Sequence, residues 1–234
     1  MRATVCLPTY NERANIEPMV RALAGVLRAE DRILVIDDNS PDGTGELADE
    51  LARELPFVHV LHRERKQGLG PAYLAGFAHA LADGAELILE MDCDFSHDPA
   101  DVPRLIAAVE QGADLALGSR YVGDGGVGQW GLLRRAISRG ASYYTGFFLH
   151  MGVSDPTGGF KCFRRRVLET IDRDQITSKG YAFQIETTYR AKRAGFEIVE
   201  VPIVFEDRTR GRSKMSRAIV FEAVWRVPLL RFRL

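Results

Sequence analysis

The sequence predicts an α/β fold: a mostly parallel sheet with helices on both faces and an amphipathic helix at the C-terminus. Three observations predict it. Short runs rich in Ile, Leu and Val alternate with helix-period segments through the first half of the 234-residue chain. Those runs are continuous rather than alternating polar with apolar, as strands covered on both faces require. The β–α unit also recurs every 25–30 residues or so, the length that right-handed crossovers between parallel strands need.

The elements follow in order. Strands at 3–8, 32–37 (RILVID), 57–62, 86–91 (ELILEM) and 114–118 (DLALG) alternate with helices at 16–28, 43–54, 70–82 and 101–111. The second half is less regular. A helix at 132–151 is interrupted by Gly140 and Gly146, and Gly158-Gly159-Phe160 turns into a short strand ending near Phe163. A helix at 182–194 and a strand at 197–205 precede a polar, basic loop at 207–216 and the amphipathic helix at 217–234. No internal repeat, low-complexity tract or linker divides the chain, so one domain is expected over 1–234. A chain of this size buries roughly 70–75% of its unfolded surface, enough to hold a core without disulfide or metal staples.

Composition narrows the function. With 46% hydrophobic and 27% charged residues the chain is an ordinary globular protein, not a disordered or disulfide-rich one. Its 31 basic and 32 acidic side chains nearly cancel, which argues against a nucleic-acid binder. The distribution is lopsided: residues 208–234 carry eight basic groups and one acid, Glu222. Such a cationic tail suits an anionic partner, either phosphate groups or a membrane surface. Cys6, Cys93 and Cys162 are widely spaced and odd in number, which fits a reducing cytosol better than a disulfide framework. No signal peptide and no run of about 18 apolar residues is seen, so a soluble or peripheral protein is expected.

In an open parallel sheet, ligands bind beyond the carboxyl ends of the strands. Four polar clusters follow predicted strands: Thr9-Tyr10-Asn11-Glu12, Asp37-Asp38-Asn39-Ser40, Asp92-Cys93-Asp94 and Ser119-Arg120-Tyr121. Two carboxylates one residue apart, Asp92 and Asp94, suit a hard divalent cation such as Mg²⁺ or Mn²⁺ that keeps positions open for diphosphate oxygens. Of the adjacent Asp37 and Asp38, directly after RILVI, a carboxylate can accept hydrogen bonds from a base or ribose. Arg208, Arg210, Arg212, Lys214 and Arg217 form either a solvated loop or a lid that clamps phosphates, and Arg120 can neutralise the same ligand from the opposite side. There is no P-loop and no HExxH, and the glycines at 123–128 follow the fifth strand, so they read as a flexible loop rather than a dinucleotide fingerprint. The terminal apolar stretch with interspersed Arg226, Arg231 and Arg233 fits either core packing or a helix in a membrane interface, and Tyr143–Leu149 can join it.

Laid out together, PTYNE (8–12), VIDDNSPDGT (35–44), GLGPAY (68–73), EMDCDFSH (90–97), GSRY (118–121), SRGAS (138–142), DPTGGFKCF (155–163), SKGYAFQIE (178–186) and VPIVFEDRTRGRSKM (201–215) resemble a family 2 glycosyltransferase of the GT-A fold. The narrower resemblance is to dolichol- or polyprenol-phosphate mannose synthases, carried by the last two segments. It implies inverting transfer of mannose from GDP-mannose to a dolichyl or polyprenyl phosphate. By this resemblance Pro8, Tyr10, Glu12, Ile36 and Asp38 hold the guanosine. Asp92 and Asp94 bind Mg²⁺ or Mn²⁺ with Cys93 alongside. Arg120, Arg208 and Lys214 serve the phosphates of donor and acceptor, with Asp94, Arg120 and Arg208 as the residues of catalysis.

The resemblance divides the chain into a nucleotide- and metal-binding half (1–122), an acceptor half with the basic loop (123–216) and the terminal helix. It implies a protein at the cytoplasmic face of a membrane, with a membrane-spanning recruiting partner as one option. Two departures stand out: Cys93 replaces the family's usual Ala, and Ser96 stands where some relatives carry Gln near the metal. A polyprenyl-phosphate glucosyltransferase using UDP-glucose, a cytosolic nucleotidyltransferase and a non-catalytic nucleotide-sugar-binding subunit remain as alternatives.

Overall fold

The structure, a computed structural model, describes residues 1–128, 130–178, 180–207 and 225–232. The first half is built as expected from β1 (Ala3–Thr9), α1 (Arg13–Ala24), β2 (Arg32–Asp37), α2 (Thr44–Glu54), β3 (Val58–His62), α3 (Leu69–Ala82), β4 (Leu87–Glu90), α4 (Val102–Glu110) and β5 (Leu115–Ser119). There follow β6 (Gly126–Val127), α5 (Leu132–Leu149), β7 (Lys161–Arg164), α6 (Arg165–Thr170), α7 (Gly180–Arg193), β8 (Ile198–Pro202), β9 (Val204–Phe205) and a terminal helix α8 at 225–232.

The continuous apolar runs are explained by burial on both faces. On β1, Ala3, Val5 and Leu7 face one side and Cys6 the other, while β2 divides Ile33 and Val35 from Leu34 and Ile36. One layer packs α1, α2 and α4 on the sheet through Ile16, Met19, Leu23, Leu51, Leu105 and Val109. The opposite layer packs α3, α6 and α7 through Tyr73, Phe77, Val167, Leu168 and Phe183. Each such fully buried side chain contributes about 1.5–3 kcal/mol. Gly70 in the GLGPAY segment is where α3 meets the chain entering α7: a Cβ there would lie 2.8 Å from the Ser178 carbonyl oxygen. Asp98 and Pro99 lead the chain into α4, the Asp98 carboxylate accepting from the Ala100 N–H at 2.9 Å.

The main sheet has the order β3-β2-β1-β4-β7-β5-β8. All neighbours are parallel except β7, which runs antiparallel between β4 and β5. That strand carries the chief topological surprise. Being reversed, it presents its N-terminal end, and the Asp155–Phe160 segment before it, at the edge where its neighbours present their carboxyl ends.

Two expectations are corrected. The single strand expected at 197–205 is β8 plus β9, and β9 leaves the main sheet to pair in parallel with β6. The glycine loop at 123–128 therefore contains a strand, since Gly126 and Val127 pair with Val204 and Phe205. The helix at 132–151 forms as one element through both glycines. At the C-terminus 225–232 is helical, while 217–224 and 233–234 lie outside the described residues. Val227 and Leu230 of α8 bury against Leu149, Met151, Ile185 and Tyr189.

Candidate active site

The carboxyl ends of β2, β1, β4 and β5 lie along one edge of the sheet, so the four polar clusters converge there. At β1 and β2 the chain is tied across the strands. The Thr9 hydroxyl donates to Asp37 Oδ1 at 3.2 Å, and the Asp38 N–H donates to the Thr9 carbonyl at 3.1 Å. Asp37 takes the bonds a turn needs, accepting from the Ser40 N–H at 3.0 Å and the Ser40 hydroxyl at 2.6 Å, while Asn39 adopts a left-handed φ of +57°. That local work leaves the Asp38 carboxylate outside the turn.

Asp38 is 5% exposed and ion-paired to Arg63. Burial pushes its carboxyl above the ordinary range, and Arg63 opposes that shift. Arg63 is in turn held by Gln67 Oε1 at 2.7 Å. Next to them the Lys66 ammonium sits 4.0 Å from the centre of the Tyr10 ring. Glu12 is buried, accepting from Asn15 Nδ2 at 2.8 Å while its N–H donates to Thr44 Oγ1 at 3.0 Å. Pro8 and Ile36 flank each other across β1 and β2, with Ile36 in the core. A cavity of 530 Å³ opens beside this group, lined by Arg65, Lys66, Gln67 and Pro71. The β3–α3 residues Arg63, Lys66 and Gln67 were missed by the sequence reading. Their signal was the R-E-R-K run directly after a strand.

At the end of β4, Asp94 is buried and its Oδ1 accepts from the Ser96 N–H at 3.1 Å and the Ser96 hydroxyl at 2.5 Å. The Asp92 N–H donates to His97 Nδ1 at 3.2 Å. Phe95, between them, holds a left-handed φ of +61°, a strained conformation for an aromatic residue. Cys93 is buried among core residues of the α1/α4 layer, which a small apolar side chain suits. Burial pushes His97 down to about 4, so its ring is neutral near pH 7. Among the described residues no group of three or more His, Cys, Asp or Glu gathers as a closed metal cage. Two carboxylates fit instead a hard cation that completes its shell with ligand oxygens and water.

Behind this loop lies a buried ion pair. Lys161, the first residue of β7, faces Glu90, the last of β4, with Nζ 3.7 Å from Oε2. Lys161 Nζ also donates to the Gln184 carbonyl at 2.9 Å and to Thr187 Oγ1 at 3.0 Å. The SKGYAFQIE segment therefore braces the floor of the site.

Arg120 follows β5 and is 8% exposed. Its Nε and Nη2 each donate to the Asp155 carboxylate at 2.6 Å, and Nη2 reaches Thr157 Oγ1 at 2.8 Å. Burial works against the guanidinium charge, but Asp155 more than offsets it and raises the pKa further. Nε and Nη2 are thus committed within the protein, which leaves Nη1 as the donor for any phosphate. Gly158 allows this arrangement, since a Cβ there would lie 2.9 Å from the Gly118 carbonyl oxygen. Arg208 and Lys214 lie outside the described residues. The segment entering them is anchored, with Trp130 Nε1 donating to Asp207 Oδ1 at 3.1 Å and Arg134 paired to the same carboxylate.

A second cavity of 430 Å³ adjoins Tyr121 and is lined by Arg139, Ser142, Tyr143, Gly146, Phe147 and Val153, among others. Tyr121 donates to Ser138 Oγ at 2.6 Å, which ties this wall of the cavity to α5. Its lining combines the cationic Arg139 and the Ser142 hydroxyl with the apolar Phe147 and Val153.

Comparison with known proteins agrees with this geometry. A family model described as glycosyl transferase family 2 matches residues 4–172, from β1 past α6. The chain belongs to glycosyl transferase family 2. This glycosyltransferase is 50% identical over 97% of its length to the polyprenol monophosphomannose synthase of Mycolicibacterium smegmatis, covering 85% of that protein. It is 47% identical to an undecaprenyl-phosphate mannosyltransferase of Micrococcus luteus, over 96% of this chain and 91% of the other. It is 37% identical to a dolichol-phosphate mannosyltransferase of Pyrococcus furiosus, spanning 95% of this chain and 61% of that one. Among solved structures, the glucosyl-3-phosphoglycerate synthase of Mycobacterium tuberculosis in complex with Mn2+, UDP and glucosyl-3-phosphoglycerate superposes with a TM-score of 0.70 at 19% identity, covering 98% of this glycosyltransferase and 79% of the other chain. That likeness establishes the expected GT-A fold.

Proposed function

We propose that this glycosyltransferase transfers mannose from GDP-mannose to a polyprenyl or dolichyl phosphate with inversion at the anomeric carbon. The observation that carries the reading is the meeting, at one sheet edge, of a nucleotide-side carboxylate (Asp38), an acidic pair (Asp92 and Asp94) and a buried arginine (Arg120). The names borne by relatives 50% and 47% identical over nearly the whole chain supply the sugar and the lipid phosphate.

In this reading Pro8, Tyr10, Glu12, Ile36 and Asp38 seat the guanosine, with Arg63 orienting Asp38. Asp92 and Asp94, with Cys93 between them, hold Mg²⁺ or Mn²⁺, as the donor set suits and as the Mn2+ in the fold relative supports. A divalent ion there supplies positive charge to the leaving diphosphate. The acceptor phosphate oxygen attacks the anomeric carbon as the bond to GDP breaks, and GDP departs with that electron pair. A phosphate monoester has a second pKa near about 6, so the nucleophile is already deprotonated at neutral pH and no general base is assigned. Bringing two anions together is the harder task. Arg208 and Lys214 supply positive charge to the phosphates, and Arg120 offers its Nη1. The Tyr121–Phe147 cavity takes the acceptor, Arg139 meeting the phosphate and the apolar lining the prenyl chain.

Among the described residues no helix is long and apolar enough to cross a membrane. The exposed face of α5 and α8 nonetheless carries Leu132, Leu133, Ile137, Tyr143, Phe147, Trp225, Leu229 and Phe232. Arg134, Arg135 and Arg139 rise from the same helix. Apolar and cationic side chains mixed in this way suit the interface of an anionic bilayer, from which the lipid acceptor is drawn.

The deciding assay follows radiolabelled mannose and glucose from GDP-mannose and UDP-glucose into a lipid extract. Labelled lipid is expected from GDP-mannose; labelling from UDP-glucose alone would overturn the donor assignment. Asp94→Ala is expected to lower transfer at least about a thousandfold, several kcal/mol of transition-state stabilisation. Full activity in excess EDTA would remove the metal from the reaction.

A further inference from the structure

The loop that follows β4 is closed by its own residues, and each aspartate has a dedicated holder. Ser96 holds the Asp94 carboxylate through both its N–H and its hydroxyl. His97 holds Asp92 from the other end of the loop, its Nδ1 accepting the Asp92 backbone N–H at 3.2 Å. Accepting there places the imidazole proton on Nε2. The ring itself is fixed, being 2% exposed, stacked on Phe160 at 4.8 Å and 18°, and met edge-on by Phe205 at 5.5 Å and 77°.

Phe160 and Phe205 belong to different parts of the chain. Phe160 precedes the antiparallel strand β7, and Phe205 ends β9, three residues before Arg208. A backbone bond from the Glu206 N–H to the Ser96 carbonyl, 3.2 Å, joins the acidic loop directly to the residue after β9. His97 therefore ties the backbone of Asp92 to the root of the basic segment. A Phe or Leu would satisfy the two neighbouring rings equally well. The imidazole adds an acceptor for an inward N–H at the end of a strand.

We propose that His97 is a positioning residue, setting the Asp92 backbone so that the acidic pair meets a diphosphate-bound divalent cation. The assignment rests on the reading of Asp92 and Asp94 as the metal pair. Groups that orient metal ligands from behind typically account for 10–100-fold in metal affinity, and His97 belongs with them.

The test uses the full chain and three substitutions, His97→Asn, His97→Gln and His97→Phe. The Asn amide oxygen takes the place of Nδ1, the Gln amide reaches the place of Nε2, and Phe keeps the ring without an acceptor. Mn²⁺ binding in the presence of GDP is read from the electron paramagnetic resonance signal of free Mn²⁺, alongside the Mn²⁺ activation constant and the KM for GDP-mannose. Circular dichroism checks that each variant folds, and if His97→Phe does not, the Asn and Gln variants decide between them.

His97→Asn is expected to bind Mn²⁺ within about threefold of the native chain, and His97→Gln and His97→Phe at least about tenfold more weakly. Equal weakening in Asn and Gln variants, or undiminished binding in the Gln variant, would reduce His97 to a packing residue. Wild-type protein that binds no Mn²⁺, or an Asp94→Asn variant that binds it undiminished, would overturn the metal reading itself and this assignment with it.

Discussion

At the scale of single residues, the site is governed by who holds each charged group. A carboxylate beyond the needs of a turn was legible in the two adjacent aspartates after RILVI, and the structure gives the turn to Asp37 and leaves Asp38 outside it. The Asp38 partner Arg63 was not legible, since 25 residues separate them and only the β2–β3 pairing brings them together. Arg63 opposes the effect of burial on Asp38, so removing it sends the carboxyl higher still. A protonated Asp38 no longer accepts two hydrogen bonds from the donor. Arg63→Ala is therefore expected to raise KM for GDP-mannose about tenfold, or roughly 1.4 kcal/mol, with little change in kcat. The loss should grow as pH falls from 8 to 6, which steady-state kinetics at both values will check. A Michaelis constant that stays flat across that range would detach Arg63 from donor binding.

At the scale of elements, α5 and α8 carry the argument. Both were legible as helices, the terminal one as amphipathic, yet periodicity is silent on what covers the apolar face. The structure divides it: Val227 and Leu230 turn inward to Leu149 and Ile185, while Leu132, Leu133, Ile137 and Trp225 face out. Replacing Leu133 and Ile137 together by Glu removes two apolar anchors, each worth about 1.5–3 kcal/mol when buried in lipid. Co-sedimentation with anionic vesicles should fall more than about tenfold, while turnover of a short, water-soluble prenyl phosphate should persist. Vesicle binding that survives the double substitution would move the membrane contact off α5.

At the scale of the whole molecule, the Glu90–Lys161 pair joins β4 and β7 to α7 through the core. Burial pushes Glu90 up to about 7 and Lys161 down to about 8, each opposed by its partner. Breaking such a pair leaves a charge without its counter-ion and costs about 3–5 kcal/mol, whereas replacing both members is often neutral. Lys161→Met should destabilise the fold by that amount in urea denaturation. The double variant Glu90→Met with Lys161→Met should cost less than Lys161→Met alone. A larger cost for the double variant would show that the pair stabilises beyond mutual neutralisation.

The sequence by itself determined the alternation of strands and helices, the carboxyl-edge placement of four polar clusters and the family, because all three depend on local periodicity and contiguous motifs. Tertiary structure alone decided that β7 runs backwards, that Asp155 takes the Nε–Nη2 edge of Arg120, that Lys161 sits behind the acidic loop and that β9 pairs with the glycine loop. Each of those rests on pairing between residues far apart in the chain. Strand direction and ion-pair partners are settled by the net energy of the packed sheet, a quantity that no window of neighbouring residues contains.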